Sequence, residues 1–72
     1  MKDDIRRYTR VVIEKDGMYL FCVSEVTQEP EWRRSPWDAW YTRDAYAARV
    51  VAKVLKAVPM LFNPVVGKVA TL

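Results

Sequence analysis

Three tryptophans and two arginines fall within nine residues, Trp32-Arg33-Arg34-Ser35-Pro36-Trp37-Asp38-Ala39-Trp40. Indole faces stack on bases or fill pockets on a protein partner, and guanidinium groups meet phosphate or carboxylate. The same residues also serve structure: Trp37 and Trp40, three apart on a helical turn, can plug one end of a core while an arginine lies over a ring. Arg6, Arg7 and Arg10, with Arg33, Arg34, Arg49, Lys53 and Lys56, would make a nucleic-acid footprint if the fold gathered them on one face. Asp3, Asp4, Glu14, Glu29 and Glu31 dilute that footprint.

The inventory argues against catalysis. The chain has no histidine, which removes the commonest general base and metal ligand. Its one cysteine, Cys22, cannot build a thiolate zinc site, and in an apolar strand it reads as a small buried hydrophobe. Ser24 and Ser35 lie in no nucleophile-elbow motif, and Gly17 and Gly67 cannot form a phosphate loop. No cofactor, metal or small-molecule substrate is implied, and we read the chain as non-enzymatic.

The 72 residues make one domain, 1–72, with residues 1–7 as a charged, frayed lead-in. A lone cysteine forbids an intrachain disulfide and points to a reducing, cytoplasmic setting. No apolar run resembles a signal peptide or a membrane span. Twelve basic and nine acidic residues give a net charge of +3, which permits an acidic partner without demanding one.

The elements that would position these residues follow from local signals. Two β-rich runs flank Asp16-Gly17, a strong hairpin signal. A type I′ turn would pair Ile13 with Leu20 and Val11 with Cys22, leaving Val12, Tyr19, Phe21 and Val23 opposite. A bulge at Gly17 would instead gather Val11, Ile13, Tyr19, Phe21 and Val23. Residues 27–36 read as a connection. Ser35-Pro36-Trp37-Asp38 starts a short helical turn over 36–39, and Trp40-Tyr41 is a brief extended piece. Thr42 caps a helix from Arg43 to Lys56, whose Arg49, Lys53 and Lys56 form a narrow polar stripe. Ala57-Val58-Pro59 ends it, Met60-Leu61-Phe62 reads as a strand, and residues 65–70 as a last strand or packed tail.

The expected fold is α+β: a small antiparallel sheet of the N-terminal hairpin plus a C-terminal strand, packed on one long helix. Its core would be Val11, Ile13, Leu20, Phe21, Trp37, Trp40, Ala48, Val51, Val54, Leu55, Leu61 and Phe62. One helix covers one sheet face. The other face must then carry an apolar patch or be covered by a loop or a second subunit.

The plan resembles small uncharacterised proteins of phages and prophages of Gram-positive bacteria. The matching pieces are Lys15-Asp16-Gly17-Met18-Tyr19-Leu20, Ser35-Pro36-Trp37-Asp38-Ala39-Trp40, the helix from Thr42 to Lys56, and Met60-Leu61-Phe62. The unusually apolar helix and the tail after Asn63 depart from it. The resemblance implies a mobile-element origin in a bacterial cytoplasm and no particular activity. Proteins of this kind include inhibitors of host defence, anti-CRISPR proteins among them, which act by binding another protein.

These observations lead to the expectation of a protein-binding or regulatory module whose partner is a second copy or a host protein. The expected contact residues are Tyr8, Val12, Tyr19 and Val23 on the second sheet face, with Trp32, Arg33, Arg34 and Trp37. The alternative is nucleic-acid binding through Arg6, Arg7, Arg10, Arg33 and Arg34.

Overall fold

Asp16 and Gly17 both take positive φ, 53° and 79°, the signature of a type I′ turn. The turn pairs Lys15 with Met18 and Glu14 with Tyr19, joining β1 (Arg10–Lys15) to β2 (Met18–Val23). The structure is a computed structural model and describes residues 9–72; Arg6, Arg7 and Tyr8 lie outside the described residues.

The remaining elements are β3 (Pro30–Arg33), a 3₁₀ turn (Pro36–Asp38), β4 (Tyr41–Thr42), α1 (Ala45–Leu55), β5 (Val58–Asn63) and β6 (Lys68–Thr71). The strands form one six-stranded sheet in the order β3-β2-β1-β5-β6, and every pairing is antiparallel. β4 also pairs with β1, Val11 with Thr42 and Val12 with Tyr41.

This corrects the expected sheet of one hairpin and one C-terminal strand. The segment read as a connection contains β3, hidden by Pro30 and its charged neighbours. Proline is tolerated there because β3 is an edge strand and leaves one side of its ladder unpaired. The tail after Asn63 is the second edge, β6. It is reached through a turn in which Gly67 N–H donates to the Asn63 carbonyl at 2.8 Å.

The hairpin also splays. Beyond Tyr19, β4 occupies the edge of β1 that β2 would have filled, and Trp40 N–H donates to the Leu20 carbonyl at 2.8 Å. β2 then carries an extra residue at Phe21: Leu20 pairs with Trp32, but Cys22 with Glu31. This bulge reverses the alternation beyond it.

Val-Val-Ile in β1 is a continuous apolar run, as expected of a strand covered on both faces. On one face Val11, Ile13 and Leu20 pack against Ala48 and Ala52 of α1, with Trp32, Val51, Leu55 and Leu61 around them. On the other, Val12 and Phe62 pack with Ala39, flanked by Tyr19, Met60 and Val69. Phe21, Trp37, Trp40 and Val54, expected in the core, are exposed to varying degrees, while Val12 and Ala52 are buried.

Helix α1 starts later than expected. Asp44 is the N-cap, its Oδ1 accepting from the Tyr46 and Ala47 amides at 3.0 and 3.2 Å. Thr42 supports it one step back, its hydroxyl accepting from Asp44 N–H at 3.1 Å. Small Ala48 and Ala52 let the helix backbone approach the sheet closely.

Candidate functional site

The second sheet face is not an open patch. The segment after β3 folds across it: Ser35 caps the 3₁₀ turn, its Oγ accepting from Trp37 N–H. Trp37 meets Phe62 edge-on, with ring centroids 5.1 Å apart, and its Nε1 donates to the Pro64 carbonyl at 3.3 Å. Val12 is 0% exposed beneath this cover. A fully buried side chain offers nothing to a partner, so Val12 is removed from the expected contact surface. Tyr19 is half-buried on the same face, and burial, then the Glu14 charge, pushes its hydroxyl pKa up.

Val23 moves to the opposite side. Its expected place beside Val12 assumed unbroken alternation along β2. The bulge at Phe21 turns it towards the helix, where it lines a cleft of about 270 Å³ with Gln28, Val50, Val51, Val54 and Leu55. Val23 and Val51 also line an adjoining cleft of about 330 Å³ with Leu20, Cys22 and Trp40. The two clefts share a wall and form one apolar trough between α1 and β2.

Above the trough runs the crest of α1. Tyr46, Val50 and Val54 recur every four residues and therefore stand on one line along the helix. They are 77%, 46% and 75% exposed. Helical geometry puts Val51 and Leu55 on the trough side of this crest and Arg49 and Lys53 on the other flank. The far lip of the trough is the loop from Ser24 to Glu29, which exposes Glu25 and Glu29. Its shape is pinned internally: Ser24 N–H donates to the Glu29 carbonyl at 2.9 Å, and Ser24 Oγ accepts from the Val26 and Thr27 amides. Basic, apolar and acidic strips thus lie side by side. Among the described residues the only ion pair is Arg33 with Glu31, at 3.9 Å, so neither charged strip is paired among them.

The tryptophans expected to act together are separated. Trp32 packs on the helix-side core, Trp37 clamps the opposite face, and Trp40 lines the trough. Arg10, on β1, is set apart from the adjacent pair Arg33 and Arg34 at the end of β3. Arg10 lies 4.2 Å over the Tyr41 ring, Arg33 lies 4.5 Å over Phe21, and Arg34 is exposed. The Cys22 thiol donates to Glu31 Oε2 at 3.3 Å. Desolvation and that carboxylate push its pKa up, which keeps it a thiol rather than a nucleophilic thiolate.

Sequence reading missed the crest as a surface, placing Val54 in the core. The available signal was an apolar arc on the helix wider than one sheet face needs. No helix among the described residues is long and apolar enough to cross a membrane, and no cluster of three His, Cys, Asp or Glu side chains is placed to hold a metal. Compared with known proteins, the chain matches no family model, no curated protein and no solved structure.

Proposed function

We propose that this domain is a protein-docking module whose binding surface is the α1 crest and the trough beside it. One observation carries the reading: Tyr46, Val50 and Val54 leave three large apolar side chains in water along the helix. Isolated exposed apolar residues are ordinary, but a contiguous band beside an apolar trough marks an interaction site. The module acts by occupancy, as a small regulator or as a phage-encoded inhibitor of a host protein would. Arg10 on β1 rests on the Tyr41 ring and Arg33 on the β3 edge rests on the Phe21 ring, so these two guanidinium groups are engaged within the fold at separate strands, and docking to protein is preferred over nucleic acid.

The test places a photo-cross-linking residue at Val54 and, as a control, at Lys68 on the β6 edge, in cells that naturally carry the gene. A protein adduct of defined mass at position 54, absent at 68 and lost in Val50→Glu, is the expected result. No adduct at 54, or equal labelling at both positions, overturns the reading.

A further inference from the structure

We infer that the crest and trough dock a second copy of this chain, with the two α1 helices side by side in parallel. The inference rests on the docking reading above and names its partner. Its ground is the order of strips across the surface: Arg49 and Lys53 on one flank, the apolar crest in the middle, Glu25 and Glu29 on the far lip. Such a surface is complementary to itself.

A symmetric dimer joins the same patch on both copies through a two-fold axis. An axis running along the helix carries the basic flank of one copy onto the acidic lip of the other, twice per dimer. An axis across the helix would set basic on basic and acidic on acidic. Like charges facing each other disfavour that arrangement, so charge selects the first. Along the selected axis the crest of each copy enters the trough of the other, and each crest residue lies level with its own counterpart along the helices: Tyr46 with Tyr46, Val50 with Val50, Val54 with Val54.

The arrangement is read by cross-linking the full chain with a short bismaleimide. Cys22→Ser removes the native thiol, and Tyr46→Cys, Val50→Cys or Val54→Cys then adds one. All three cross-link to dimer in the parallel arrangement. In the antiparallel one, position 46 faces position 54 of the other copy, about 12 Å of helix rise from its own counterpart, and only position 50 links. Light scattering of the unmodified protein should give twice the chain mass of 8.4 kDa. The double change Arg49→Glu, Lys53→Glu should weaken dimerisation about tenfold, and adding Glu25→Lys, Glu29→Lys should restore it. These side chains are exposed and form no ion pair among the described residues, so the folded monomer is retained, and circular dichroism checks this.

A monomer at high concentration overturns the inference. Linking at position 50 alone overturns the parallel arrangement. A charge swap that fails to restore the dimer overturns the pairing of strips. A monomer that still gives position-54 adducts of another mass leaves docking standing and excludes the self-partner.

Discussion

A β-carbon added at position 67 would lie 2.7 Å and 2.9 Å from two atoms of the Trp37 ring. Gly67 also has φ +71°, where an L side chain is strained. The glycine therefore serves the β5–β6 turn and seats the indole that closes the second sheet face. Gly67→Ala should destabilise the domain by roughly 1–3 kcal/mol, through strain and displacement of Trp37. Urea unfolding measures the loss, and the Trp37 indole N–H resonance should shift with it. An effect below about 0.5 kcal/mol would show that the ring moves aside freely. Nothing local in the sequence links the two residues, which are thirty positions apart; only the path of the chain across the sheet brings them together. Val23 shows the same limit. Its side of the sheet depends on a bulge at Phe21, a residue type that does not advertise one.

At the scale of elements, legibility followed the reach of the controlling interaction. Asp16-Gly17 revealed the hairpin because both residues must take positive φ, and the two-residue register at the turn is the one that such a turn demands. Thr42 and Asp44 both carry capping chemistry, and only the path of the backbone into the helix decides between them. Strand β3 was illegible because its Glu31 and Arg33 face solvent on an edge, where composition resembles a loop. The end of α1 holds a correctable flaw. Lys56 sits at φ 55° in the left-handed region, with its amide bonded to Lys53 and the Ala57 amide reaching the Ala52 carbonyl at 2.8 Å. This is a Schellman ending with lysine where glycine is preferred. Lys56→Gly should stabilise the domain by about 0.5–1 kcal/mol, because relief of the left-handed strain exceeds the added freedom of the unfolded chain. Thermal melting reads the gain, and a lower melting temperature would mean that the lysine side chain contributes more than its backbone costs.

The molecule as a whole is a sheet with a different cover on each face. Composition alone showed that one helix was too little for so much apolar surface. It did not show that residues 35–40 take up part of the excess, or that the remainder lies on the helix itself. The strands that separate the two covers carry alternate residues to each: Leu61 of β5 faces the helix-side core, and Phe62 faces the other. Phe62 is the largest side chain wholly enclosed, at 0% exposure, and its ring supports Trp37. Removing it should loosen the 3₁₀ cover and, through β1, the helix layer, since Val12 and Ile13 are adjacent on one strand. Phe62→Ala is expected to cost about 3–5 kcal/mol. A domain of this length holds only roughly 4–11 kcal/mol in all, so the variant should be largely unfolded near its working temperature. Val65→Ala, at an exposed position in the β5–β6 turn, should stay within about 0.5 kcal/mol of the parent. In urea, Phe62→Ala should lose the environments of Trp37 and Trp32 together. Loss of the Trp37 environment with Trp32 and α1 intact would mean that the two faces are independent layers, and that the sheet does not couple them.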